Sequence, residues 1–218
     1  MKNYRRCFPL DGMFMNYGTK DIVYGYLQLI ATFNPSSREL YIYHREYVKE
    51  KESIANIADC SIKTIERAVT ALKVSGLIKF DEDRIIITPS TNRYQLVDYD
   101  ILDKLVGTGN HNIIRIYIYL LNKYLWKKEQ SSSYLFTISE LASAIGYNSF
   151  NSNISNRISR TLNILKDSGM IDFDYRYIEK RDGEKIIPVR KIELKYVASS
   201  IGDIICKNDR NRKQEFRF

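Results

Sequence analysis

Ser75-Gly76-Leu77-Ile78-Lys79-Phe80 returns 93 residues later as Ser168-Gly169-Met170-Ile171-Asp172-Phe173. In both places a helical spacing of apolar residues gives way, across the glycine, to alternation. Upstream, Ile65, Ala68, Val69 and Leu72 recur at three- and four-residue steps, as do Ile158, Leu162 and Leu165 in the later copy. A glycine closing such a stripe can take the left-handed conformation that stops a helix. Beyond it, residues 77–80 and 84–88 bracket Asp81-Glu82-Asp83 as a tight hairpin. Residues 171–178 and 185–197 bracket a turn through Arg181-Asp182-Gly183-Glu184 as a longer one. Pro188 in the return strand marks an edge or a bulge.

The same offset extends in both directions. Val23-Tyr24-Gly25-Tyr26-Leu27 returns as Ile116-Tyr117-Ile118-Tyr119-Leu120, and Arg67 and Lys73 meet Arg160 and Lys166. Two separate matches at one offset imply a duplicated module. Each copy reads as a first helix (residues 20–33 and 112–127), a short helix (53–59 and 139–145) and a third helix (61–75 and 153–168), followed by the hairpin. That is the order of a winged helix-turn-helix. The expected fold is α+β and mainly helical, with two tandem winged helix-turn-helix domains related by internal duplication. Residues 1–13 read as an N-terminal arm, 14–92 as domain 1, 93–111 as a connector, 112–197 as domain 2 and 198–218 as a basic tail. The last twelve residues carry five basic and two acidic side chains, the composition of a nucleic-acid arm.

Composition narrows the function. Lysine and arginine number 34 against 26 acidic residues, a net charge of +8, which favours polyanionic partners. Three cysteines with no CxxC pair support neither a disulfide framework nor a zinc knuckle. No secretory signal is visible, and the longest apolar run, residues 116–121, is far short of a membrane span. The chain reads as a reduced, cytoplasmic protein with no membrane association.

In a winged helix the third helix lies in the major groove, and the hairpin touches backbone or minor groove. Such a helix must be apolar on one side and carry donors on the other. Copy one points Lys63, Thr64, Arg67 and Lys73 outward; copy two points Asn156, Arg157, Arg160 and Lys166 outward, and residues 150–166 contain no acid. The arginine fork fits guanine O6 and N7, and asparagine fits adenine N6 and N7. Asn156, Arg157 and Arg160 are therefore the expected base contacts of copy two, with Lys63, Thr64 and Arg67 in copy one. Lys73 and Lys166 are the expected phosphate contacts. Glu66 weakens the first helix, and Asp81-Glu82-Asp83 makes the first hairpin a poor backbone clamp. Arg176, Lys180, Arg181 and Lys185 make the second hairpin the better one.

Catalytic readings find little footing. There is no GxxxxGK[ST] phosphate loop. Asp172 or Asp174 with Glu193-Leu194-Lys195 on the returning strand could hold a magnesium ion, but the alternation of Ile192, Leu194 and Tyr196 is that of any half-buried strand. Neither enzymatic activity nor a metal or other cofactor is expected. Tyr24, Tyr26, Tyr117 and Tyr119, in register on the first helices, read as packing residues rather than stacking platforms.

Ile116-Tyr117-Ile118-Tyr119-Leu120-Leu121, Lys63-Thr64-Ile65-Glu66-Arg67-Ala68 and Ser75-Gly76-Leu77-Ile78 resemble winged-helix segments of plasmid and phage replication initiators. The two-copy arrangement is similar to the tandem winged-helix Rep proteins over residues 14–197. The resemblance implies binding of double-stranded DNA at repeated origin sites and recruitment of host replication proteins, by a monomer or homodimer. The same contacts would serve a transcriptional regulator. A winged-helix interaction scaffold that binds no DNA is the alternative from a different class.

Overall fold

The computed structural model describes residues 5–9, 18–88, 94–130, 132–147, 152–182, 185–200 and 202–204. The fold is α+β, with small antiparallel sheets, and divides into two compact units, residues 1–118 and 119–218. The division falls inside one helix.

Unit 1 begins with β1 (Arg5–Pro9), α1 (Gly18–Ile30), β2 (Thr32–Asn34), β3 (Glu39–Tyr43), α2 (His44–Ile57) and α3 (Ile62–Val74). It continues through β4 (Ile78–Asp81), β5 (Arg84–Ile87), β6 (Tyr94–Asp98) and α4 (Tyr99–Gly107) into the start of α5 (His111–Glu129). One sheet has the order β2-β3-β5-β4, and β1 pairs with β6 in another. α1 lies at the centre: Ile22, Val23, Tyr24 and Leu27 are enclosed together with Ile54, Ile65, Leu72 and Ile85. Arg115 at the start of α5 places Nε 2.7 Å from Asp21 Oδ2, both side chains being buried. Burial pushes the Asp21 carboxyl well above the ordinary carboxylate range, against the pull of Arg115 and Lys20.

Unit 2 carries the rest of α5, then β7 (Tyr134–Phe136), α6 (Ile138–Ala144), α7 (Ser152–Asp167), β8 (Ile171–Asp182) and β9 (Lys185–Val197). Its sheet order is β7-β9-β8. Phe136, Leu141, Ile158, Leu162, Leu165, Phe173 and Leu194 form the core.

Both groove candidates end in the same backbone device. Gly76 (φ 71°) and Gly169 (φ 73°) are left-handed. Gly76 N–H donates to Lys73 O and Leu77 N–H to Leu72 O; Gly169 N–H donates to Lys166 O and Met170 N–H to Leu165 O, all at 2.9–3.0 Å. This is the Schellman arrangement, which satisfies the last helical carbonyls and turns the chain into a strand.

Several expectations need correction. The first helix stops at Ile30 rather than near residue 33, because Asn34 precedes Pro35 and the position before proline disfavours helix. The Asn34 side chain instead accepts Ser36 N–H at 3.0 Å, and β2 forms. The short helix expected at 53–59 is the end of a longer one, α2, whose start is held by Glu46 accepting Tyr43 N–H at 3.2 Å. The connector is structured: β6 and α4 occupy most of it, and Asp98 caps α4 through Asp100 N–H at 3.1 Å. Residues 5–9 of the supposed arm form β1, with Phe8 fully buried and its ring edge-on to Tyr24 at 5.5 Å. Residues 148–151, residues 183–184 of the expected turn and most of the expected basic tail (residue 201 and 205–218) lie outside the described residues, as do 1–4 and 10–13 of the expected arm.

A Cβ placed on Gly76 meets nothing within 4 Å, so Gly76→Ala tests backbone conformation alone. It is expected to cost about 1–2 kcal/mol, the penalty of a left-handed L-residue, read by denaturant unfolding. An unchanged midpoint would contradict the turn.

Candidate nucleic-acid interface

α7 is divided lengthwise. Ile158, Thr161, Leu162 and Leu165 are buried, and Asn156, Arg157, Arg160 and Asn163 are exposed. The Thr161 hydroxyl bonds back to Arg157 O at 2.9 Å, so the one polar group on the inner stripe is satisfied within the helix. Among the described residues, no carboxylate or other side chain engages the Asn156, Arg157 or Arg160 side chains. Their donors face water.

α3 presents Lys63, Arg67 and Thr70, all exposed, while Thr64 sits half-buried at the helix start, bonded to the Ser61 cap. Glu66 stands among them, but Lys51 of α2 lies 2.9 Å from its carboxylate. That partner offsets part of the charge that would oppose phosphate. Lys51 could not be assigned from sequence, because its contact with Glu66 depends on how α2 packs on α3.

Lys73 and Lys166, the expected phosphate contacts, are both exposed and also make contacts within the fold. The Lys166 ammonium donates to Phe173 O at 2.7 Å, sits 3.3 Å from Asp172 Oδ1 and lies 4.7 Å from the Phe173 ring centre. Lys73 lies 5.1 Å from the Phe80 ring. Both lysines brace helix against hairpin, each over the aromatic at the same repeat position.

The two hairpins differ in size and charge. β4 and β5 are four-residue strands, and Arg84 binds Asp81 at 3.0 Å and approaches Asp83 to 3.7 Å. The first hairpin is thus a short stub whose acids are partly compensated from within. β8 and β9 pair over twelve positions from Ile171↔Val197 to Asp182↔Lys185, with an irregularity at Asp172/Phe173. β7 reaches β9 only from Leu194 to Ile192. Past Ile192 the hairpin is therefore a two-stranded ribbon, on the order of 20 Å long at about 3.3 Å per residue.

Arg176, Lys180 and Arg181 are all exposed on this ribbon. The Lys185 backbone pairs with Asp182, and its side chain lies outside the described residues. Arg190 lies 3.6 Å above the centre of the Tyr175 ring. At the base, Glu193 is enclosed, 2.6 Å from Lys195 and 3.3 Å from Arg176. Glu193 is paired with these two cations and Asp172 with Lys166, and no group of three potential metal ligands occurs among the described residues. The expected packing roles of the tyrosines hold for Tyr24 and Tyr117, which are fully buried. Tyr26 donates to Glu50 at 2.7 Å, and Tyr119 shares a 2.9 Å hydrogen bond with Tyr134.

No helix among the described residues is long and apolar enough to cross a membrane. No protein-family model, curated protein or solved structure matches the chain.

The hydrogen bond from Lys195, with a bond from Ser133 and the charge of Arg176, holds the Glu193 carboxyl below its ordinary range against the effect of burial. Its stabilisation is complete above the usual carboxylate range and is lost as pH falls through the lowered value. Glu193→Gln is therefore expected to be less stable than the parent at neutral pH, with the gap closing on acidification. Thermal unfolding across pH measures this, and a gap independent of pH would contradict it.

Proposed function

We propose that this chain is a sequence-specific double-stranded DNA-binding protein of two winged-helix modules, with no catalytic activity of its own. The observation that carries the reading is the outward row Asn156, Arg157, Arg160 and Asn163 on α7, which has no acid among it and leads into a basic ribbon. These are the side chains whose forks match purine edges in the major groove.

The modular part of the proposal is supported by the recurrence of order. Helix, two strands, helix, helix and hairpin follow one another in unit 1 and helix, strand, helix, helix and hairpin in unit 2, and the strand just before the second helix pairs with the returning strand of the hairpin in each, β3 with β5 and β7 with β9. Identical Schellman turns set the hairpin behind the groove helix in both. With α3 and α7 as the groove helices, Lys63, Thr64 and Arg67 take the places in unit 1 that Asn156, Arg157 and Arg160 take in unit 2. Unit 2 is the stronger reader, because its groove helix lacks a counterpart of Glu66 and its hairpin is long and basic.

The narrower role, initiation of replication on a plasmid, phage or other mobile element, rests on the resemblance of the quoted segments to Rep proteins. DNA at an origin and the host replication proteins assembled there are the partners that role would need.

Arg160→Ala is expected to lose about 1–3 kcal/mol of affinity and to relax preference at a single base position. Arg67→Ala is expected to lose less. If six phosphates are contacted, log K should fall with log salt at a slope of about −5. Fluorescence anisotropy over a salt series measures both quantities. Binding unaffected by Arg160→Ala, or affinity for duplex that does not fall with salt, would overturn the proposal.

A further inference from the structure

One face of the ribbon is core at its base and stays apolar after the core ends. Phe173, Ile192 and Leu194 are enclosed on it. Tyr175, Tyr177, Pro188 and Ile186 follow on the same face, because alternate residues of a strand share a face and so do ladder partners. Tyr175 is 49% exposed and Tyr177 71%. Among the described residues, no hydrogen bond, ion or ring engages the Tyr177 side chain. Arg190 stands across the ladder from Tyr177 and lays its guanidinium 3.6 Å above the Tyr175 ring centre. Arg190 and Arg181 flank Glu179 along this face and outnumber it. Among the described side chains past Phe173, the other acids of the ribbon, Asp174 and Glu193, belong to the opposite face.

We propose that this face is a stacking platform for unpaired DNA, with one base on the Tyr177 ring and another on the stack of Arg190 and Tyr175. The inference rests on the DNA-binding reading above for the class of partner and adds a single-stranded form of it. Aromatic rings and guanidinium planes both stack bases with little regard to sequence, since every base has a π-face. A duplex offers these platforms no partner: its bases follow at about 3.4 Å along each strand and cover one another's faces. The backbone positions of Tyr175 and Tyr177 stand about 6.6 Å apart. That is roughly twice the duplex step, so the two platforms suit neighbouring bases no longer stacked on each other.

The size of the face selects the same occupant. From Tyr175 to Arg181 it is on the order of 20 Å long and about 10 Å across, since only two strands make it. That is roughly 200 Å², whereas each partner in a stable protein complex contributes about 800 Å². A folded protein or a second copy would need more surface than this, while a single nucleotide strand fits it. The excess of cations over Glu179 favours a phosphate backbone alongside.

The test is fluorescence anisotropy with full-length protein and a labelled oligothymidine strand. The parent chain should bind it. An abasic strand of equal length keeps the phosphates, lacks the rings and should bind weakly. Tyr177→Ala should weaken binding of oligothymidine by about 5- to 100-fold, and Tyr177→Phe should leave it unchanged. Both variants should bind the duplex most enriched from a random pool as the parent does. An unchanged thermal transition of Tyr177→Ala excludes loss of fold. Duplex binding without oligothymidine binding overturns the platform and leaves the duplex proposal standing. So does oligothymidine affinity that is unchanged in Tyr177→Ala or matched by the abasic strand. Tighter binding of oligouridine than of oligothymidine overturns DNA as the strand. Tyr177-dependent binding of oligothymidine with no binding of any duplex supports the platform and overturns the duplex proposal. Failure of the parent chain to bind either overturns both.

Discussion

The hydrogen bond from the residue after glycine back to the carbonyl five positions earlier, Leu77 to Leu72 and Met170 to Leu165, is the constraint on which the rest depends. It ends the third helix of each unit with its carbonyls satisfied and reverses the chain while the apolar stripe is still in contact with the core. The left-handed glycine makes the geometry possible, and the buried pair of side chains at its two ends secures it. Because the turn is fixed, the hairpin begins at a fixed place beside the helix. A lysine one turn before the glycine then reaches the first strand, Lys73 over Phe80 and Lys166 over Phe173.

This coupling separates two jobs along one helix. The inner stripe and the terminal lysine tie the helix to its unit, leaving the middle outer positions without intramolecular duties. On α7 those positions are Asn156, Arg157, Arg160 and Asn163. The hairpin inherits its position from the same turn, while its length and charge differ between the units. Unit 1 has a stub with Arg84 among its acids, and unit 2 a long basic ribbon. One frame can thus carry two unequal surfaces.

What was legible in the sequence obeyed local rules. The glycine stops, the stripes of α3 and α7 and both hairpins are written in residues within a few positions of one another. What escaped depends on distant partners. β3 and β7 become strands by pairing with β5 and β9, more than forty positions along the chain, and the alternation of Leu40-Tyr41-Ile42-Tyr43 is too short to announce it. β1 and β6 make each other across most of unit 1. Tyr43 is an unusual helix cap, so the start of α2 is hidden until Glu46 reaches back to it in the fold. Among the site residues, the exposure of Arg157, Arg160, Lys180 and Arg181 is a consequence of periodicity. The bracing role of Lys166 and the pairing of Glu66 with Lys51 come only from packing.

Selection of bound duplexes from a random pool, with the full-length chain at near-physiological salt, tests the central claim most directly. Two groove helices of different outward chemistry, one of lysine, threonine and arginine and one of asparagine and arginine, predict enrichment of a bipartite motif with two dissimilar parts. A pool that emerges without any enriched sequence would contradict the account.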